Sequence, residues 1–224
     1  MTGFFVSVKA LIWKDLLLEL RNKDVIVSVI SFAILCMVIF NFAFGFSSKL
    51  SPMIAPGVLW VSITFAGVIG LNRTFLLETD EGNLIGLLAS PVSRESIYFA
   101  KMFSSLLFML MAEIVLLPVF AILFNVSLFQ PYLILIVFLG TLGFAAIGTL
   151  FAAIAVHTRS RDIMLPMLFL PVVIPVIIGS VVASASILDG GRWTDFSKGI
   201  QLVVVFDIVA LFISAVTFGQ VVQE

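Results

Sequence analysis

Residues 131–156 read PYLILIVFLGTLGFAAIGTLFAAIAV, a run without a single Lys, Arg, Asp or Glu. A bilayer core takes about 20 apolar residues to cross as a helix, and this run is long enough. Five further runs of the same kind lie at roughly 25–46, 55–76, 99–124, 163–187 and 200–222. The composition agrees with them. Of 224 residues, 62% are apolar and 11% charged, with a mean hydropathy of +1.26. Soluble domains carry about 25% charged residues, so this chain stands outside that class. Its 23 Phe exceed what one small water-facing core buries. The sequence predicts an all-α polytopic membrane protein, a single domain over residues 1–224 with six transmembrane helices. Such apolarity excludes disorder, and a net charge of −1 excludes nucleic-acid binding through a basic surface. One cysteine, Cys36, excludes an intramolecular disulfide and a Cys-cluster metal site.

Basic residues set the direction of the spans. With the N-terminus in the cytoplasm, Lys9, Lys14, Arg21, Lys23, Arg73, Arg94, Lys101, Arg159 and Arg161 fall inside, against Lys49, Arg192 and Lys198 outside. Both termini are then cytoplasmic. The first apolar run is too long for a signal-peptide core and lacks a small-residue cleavage site, so it is expected to stay as a span.

Residues 1–24 are expected to hold an amphipathic helix on the cytoplasmic leaflet. Over residues 4–21, Phe5, Val6, Ile12, Trp13, Leu16, Leu17 and Leu20 share one arc of a helical wheel. Ser7, Lys14, Asp15, Glu19 and Arg21 lie opposite. Glu19 and Lys23 form an i,i+4 pair on paper. Lys9 intrudes on the apolar arc, where its stem can snorkel. The plainer alternative is a polar lead-in.

The cytoplasmic loop 77–98 concentrates the signals. An acidic cluster, Glu78, Asp80 and Glu81, precedes Gly82 and then Leu84, Leu87 and Leu88 at i, i+3, i+4 spacing, and Pro91 closes the segment. Acids at a helix start suit the positive end of its dipole. Ser93 with Glu95 reads as a second cap, opening a helix that runs into the third span. A short helix with one apolar face results, and that face must bury against its own bundle, against headgroups or in a groove on a cytoplasmic partner. Gly86 in its middle either permits close backbone approach or is merely tolerated, at about 1 kcal/mol against Ala.

At these residues the chain resembles a known family. Ile54-Ala-Pro-Gly-Val-Leu-Trp60-Val, the string Arg73…Glu78…Gly82-x-Leu84…Leu87…Pro91 followed by Ala100-Lys101, and Leu168-Phe-Leu-Pro171-Val-Val-Ile-Pro175 together resemble the heme exporter B family, the B subunit of the cytochrome c maturation system. The loop motif alone is shared by many ABC-2 permeases; the other two narrow it. The resemblance covers essentially the whole chain. It implies an ABC-2-like permease in the bacterial inner membrane, non-catalytic itself and driven by a separate ATP-binding cassette subunit. It implies a second permease copy, the C and D subunits of cytochrome c maturation and a periplasmic heme chaperone as partners, with heme as cargo. By carry-over, Glu78, Gly82, Leu84, Leu87, Leu88 and Pro91 are the positions that couple to the ATPase.

The remaining residues say what the chain lacks. No Gly-x-x-x-x-Gly-Lys-Ser/Thr phosphate loop occurs, so ATP chemistry falls to a partner. The only His, His157, sits beside Arg159 and Arg161 at a span end and reads as interfacial rather than as a heme ligand. Eight scattered Met read as packing. Trp13, Trp60 and Trp193 are too far apart to resemble the Trp-rich motif of the C subunit. No cofactor is expected to be held by this chain.

Two acids fall inside spans, Glu113 and Asp207. A charged acid costs ~2.5–3.5 kcal/mol or more at the bilayer centre. No Lys or Arg lies mid-span to pair with them. Both are expected to be protonated or to face polar groups, as a path lining, as contacts between subunits, or simply bonded to a nearby hydroxyl or carbonyl. Pro118, Pro171 and Pro175 are expected to kink their spans. Ala145, Thr149 and Ala153 form a small-residue stripe for internal packing or a dimer seam. The outer loop 188–199, with Trp193, is expected to be short and to admit re-entrant pieces. Three functional readings follow: an ATPase-driven permease in heme handling, an ABC-2 permease for polysaccharide, lipid or drug, and an ion-coupled carrier using Glu113 and Asp207. The inverted repeats a carrier would show are not evident.

Overall fold

A computed structural model of the protein describes residues 2–21, 23–44, 51–73, 92–127, 130–156, 158 and 161–221. Over these residues the chain is all helix: α1 Thr2–Arg21, α2 Lys23–Phe44, α3 Ser51–Arg73, α4 Arg94–Phe124, α5 Pro131–Val156, α6 Arg161–Leu188 and α7 Trp193–Val221. From α2 onward all six are long and apolar enough to cross a bilayer, so the protein is multi-pass. The span expected at 131–156 coincides with α5. Those at 25–46, 55–76 and 163–187 match α2, α3 and α6 to within four residues at each end.

Helix α5 is the axis of the bundle, packed on α3, α4, α6 and α7. Its sequence explains why. Gly, Ala and Thr leave room for neighbours on every side, and without a hydrophobic force between helices in lipid such close packing is what holds them together. The ring of Trp60 on α3 occupies the space a side chain at Gly140 would need, and its indole N–H donates to Ser184 Oγ on α6 at 3.0 Å. Leu71 fills the corresponding space at Gly148. Ala145, Thr149 and Ala153 are all buried within the chain. The small-residue stripe is therefore internal packing, and a dimer seam there is ruled out. On α7 the buried residues Phe196, Gly199, Ile200, Val203, Asp207, Ala210, Ser214 and Phe218 follow the helical repeat and face inward. Helices α6 and α7 touch backbone to backbone, since a Cβ on Gly199 would lie 2.7 Å from the Gly179 carbonyl oxygen. Helix α2 is peripheral, packed mainly on α3 and α4 and exposing Val27, Phe32, Leu35, Ile39 and Phe42. Its Asn41 is anchored by donating to Leu123 O at 2.8 Å.

The connection between the last two spans corrects the sequence reading. Helix α7 begins at Trp193 rather than near residue 200, which leaves only 189–192 as a turn and no length for re-entrant pieces. The turn is a helix stop followed at once by a helix start. Gly190, at φ +74°, donates to Ile187 O at 3.1 Å, and Gly191 donates to Ser186 O at 2.8 Å. These two bonds with a left-handed residue between them satisfy the last carbonyls of α6. Asp195 then accepts from the Arg192 N–H at 2.8 Å and caps α7. Beside the turn, Tyr132, Trp193 and Phe196 cluster in tilted and edge-to-face contacts with centroids 5.0–5.5 Å apart. Such amphipathic rings suit a membrane–water interface. Helices α4 and α6 continue as helix through Pro118, Pro171 and Pro175.

Candidate functional site

The loop positions Glu78, Gly82, Leu84, Leu87, Leu88 and Pro91, and likewise His157, lie outside the described residues. What is on view is the element that leaves the loop. Ser93 is its N-cap, in an extended conformation, with its hydroxyl oxygen accepting from the Ser96 N–H at 3.3 Å. This is the cap read from Ser93 and Glu95. The helix starts at Arg94, within segment 77–98, and runs on without a break to Phe124.

The first two turns of α4 collect three other helices. The Arg94 guanidinium donates to Gly219 O at 2.9 Å, placing a cation at the negative C-terminal end of α7. One turn on, the Tyr98 hydroxyl donates to Ala146 O on α5 at 3.0 Å, and its ring packs on Phe218 of α7. Beside it, Phe99 meets Phe4 of α1 edge to face at 6.2 Å. Next comes Lys101, 4% exposed. Its ammonium lies 3.2 and 3.1 Å from the two carboxylate oxygens of Asp15 on α1. Lys14 adds a second contact to Asp15 at 3.3 Å from a half-exposed position.

Helix α1 forms over Thr2–Arg21, and its acids are not left to water while Phe5, Val6, Trp13 and Leu17 of the apolar arc are exposed. Asp15 and Glu19 turn toward α4. Burial pushes the Glu19 carboxyl up to about 7, the Asp15 charge adds to that, and Lys101 opposes both. The expected Glu19–Lys23 pair straddles two helices, because α1 ends at Arg21 and α2 begins at Lys23, and Lys23 is exposed. Lys101 was legible as a cytoplasmic-side cation; its burial against Asp15 was not, because no local spacing links residues so far apart in the chain.

The two intramembrane acids are both buried, and α5 separates them. Glu113 on α4 is hydrogen-bonded to the Thr141 hydroxyl, which is also 2.9 Å from Val137 O. One hydroxyl hydrogen serves one acceptor. Both bonds form together when Glu113 is the neutral acid, donating to Thr141 while Thr141 donates to the carbonyl. Among the described residues the second Glu113 oxygen has no hydrogen-bond partner, and Glu113 lines a narrow apolar gap with Ile63, Met109 and Leu116. Asp207 on α7 sits over Gly143, where a Cβ would stand, and neither of its oxygens has a hydrogen-bond partner among the described residues. Thr141 and Gly143 are two residues apart on a helix of 3.6 residues per turn, so they face nearly opposite ways. The two acids therefore meet opposite sides of α5.

Among the described residues, no group of three or more His, Cys, Asp or Glu is placed to hold a metal ion.

The chain is matched by the family model described as CcmB protein over residues 6–224. It is 30% identical over 173 residues to heme exporter protein B of Pseudomonas aeruginosa, covering 76% of this chain and 77% of that one. It is 28% identical over 173 residues to heme exporter protein B of Rhodobacter capsulatus, 76% and 79% of the two chains. With heme exporter protein B of Bradyrhizobium diazoefficiens the match is 26% over 208 residues, 92% and 93%. On the strength of a match that spans nearly its whole length, the chain belongs to the CcmB protein family.

Proposed function

We propose that this chain is the permease subunit of an ABC transporter in cytochrome c maturation, a non-catalytic element moved by ATP hydrolysis in a separate subunit. It sits in the bacterial inner membrane with both termini in the cytoplasm. The ATP-binding cassette subunit seats on loop 77–98 through Glu78, Gly82, Leu84, Leu87, Leu88 and Pro91. A second permease copy, the C and D subunits and a periplasmic heme chaperone complete the assembly. Heme is handled as cargo and is not a resident cofactor of this chain.

The observation that carries this reading is the convergence just beyond the loop. A displacement of Ser93 and Arg94 passes at once to α7 through Gly219, to α5 through Tyr98 and to α1 through Lys101. Hydrogen bonds of this kind contribute about 0.5–1.5 kcal/mol each, and those to charged groups about 1.5–3 kcal/mol, so together they move the helices as one body. Helix α1, lying along the membrane surface, serves as the fulcrum. We read the output as release of the heme-loaded chaperone rather than passage of heme through this chain, since a single His and a single Cys offer poor ligation. Separation of Glu113 from Asp207 by α5 argues against an ion-coupled carrier.

The test is co-purification of the chain with its ATPase. Leu84→Asp or Leu87→Asp is expected to weaken the complex while leaving the chain folded in the membrane. Undiminished association would refute the docking role. Stoichiometric heme binding by the purified chain would overturn the release reading, and proton-driven flux without ATP would favour a carrier.

A further inference from the structure

Helix α1 separates its charges by sign. Of its acids, Asp15 is buried and Glu19 is turned inward, both near Lys101. Lys14 is engaged with Asp15. The exposed charges of the helix are Lys9 and Arg21, followed by Lys23 and Asp24 at the start of α2. A helix with three cations and two acids in sequence thus presents a cationic exterior.

Lys9 does not stand among polar residues. With Phe5, Val8, Ile12 and Trp13 it lines an open groove of about 410 Å³ along one face of α1. Phe5 and Trp13 are 73% and 65% exposed. One residue separates α1 from α2, whose apolar stretch begins at Ile26, and an exposed apolar helix face so close to a candidate span suits the bilayer boundary. An apolar groove lined by one ammonium and one indole fits a lipid whose tail covers Phe5 and Ile12 and whose phosphate meets the cation. We propose that the groove around Lys9 is a binding site for an anionic phospholipid, selected over zwitterionic lipid by the Lys9 ammonium against a headgroup that carries net negative charge. The lipid steadies α1 and, through Asp15 and Lys101, the loop-proximal end of α4. The site requires only the bilayer, so it stands or falls separately from the transport reading.

The test uses the full chain carrying Trp193→Phe, in nanodiscs of phosphatidylcholine with a fixed fraction of phosphatidylglycerol. Either lipid is brominated in turn, and quenching of Trp13 fluorescence is read as the difference from a Trp13→Phe control. One lysine near an anionic surface gives roughly a five-fold preference. Brominated phosphatidylglycerol is therefore expected to quench Trp13 well beyond brominated phosphatidylcholine at equal fraction. Lys9→Gln is expected to equalise the two, and Lys9→Arg to keep the preference. Equal quenching in the parent protein would overturn the proposal. So would a preference that survives Lys9→Gln, since it would then belong to Arg21 and Lys23.

Discussion

Replacing Lys101 by Met tests the junction of α1 and α4. The Lys101 ammonium is 4% exposed and spans both oxygens of Asp15, itself 8% exposed. Removing one partner of a buried pair costs about 3–5 kcal/mol, because the remaining charge is stranded. Lys14 stays 3.3 Å from Asp15 with its side chain 42% exposed, and a pair so wetted returns only about 0.2–1 kcal/mol. The net loss is about 3 kcal/mol, which corresponds to a roughly hundred-fold larger population of the locally opened state. The assay is amide hydrogen exchange of residues 2–21 in nanodiscs, with α5 as the internal standard. Asp15→Asn is expected to loosen α1 as well, since it leaves a buried ammonium. The double variant Asp15→Leu with Lys101→Met is expected to recover most of the protection, because two apolar groups strand no charge. Unchanged exchange in Lys101→Met, or a double variant as labile as the single one, would refute the assignment of the pair as the clamp.

Thr141→Val leaves Glu113 without its hydroxyl partner and is expected to cost about 1–3 kcal/mol in thermal unfolding. Thr141→Ser should restore most of it. Gly190→Ala places a Cβ at φ +74° and is expected to cost about 1–2 kcal/mol, with Gly191→Ala similar or worse because its Cβ would meet Ser186 O at 2.7 Å. The docking of α1 should also depend on pH. Glu19 holds its proton up to about 7, against 4.5 for an ordinary glutamate, so the docked state binds more protons than the undocked one between those values. Docking then weakens as pH rises from about 4.5 to 7 and levels off above. Hydrogen exchange of α1, corrected for the intrinsic rate, reads this slope, and Glu19→Gln should flatten it.

Much of the fold was legible because the bilayer imposes it. A helix is the cheapest way to satisfy backbone groups in lipid, so an apolar run of sufficient length is a span whatever its neighbours. That is why α5 falls where the uncharged run from Pro131 predicts, and why Ser93 announces α4. The start of α7 was misplaced because Asp195 and Lys198 make 193–199 look like loop, whereas Asp195 is there as a cap and Trp193 as an interface anchor. The site was legible only in part. Local spacing exposes a cap or an apolar arc, and Glu113 and Asp207 stand out against their apolar surroundings. Spacing cannot reveal that Tyr98 reaches Ala146, that Arg94 reaches Gly219 or that Lys101 meets Asp15. Those contacts depend on how helices distant in sequence cross.

The central claim is that ATP-driven motion enters this chain just before Arg94 and leaves through α7. It is tested most directly by spin labels that pair the exposed Val27→Cys of α2 with either Glu95→Cys or the exposed Gln220→Cys, in a Cys36→Ser background of the assembled complex. Each distance is measured by pulsed electron resonance with and without a trapped ATP state. Both distances to α2 are expected to shift with nucleotide, because the Arg94–Gly219 contact makes α4 and α7 move together, and Leu87→Asp is expected to abolish the shift. A distance distribution indifferent to nucleotide in an actively hydrolysing complex would contradict it.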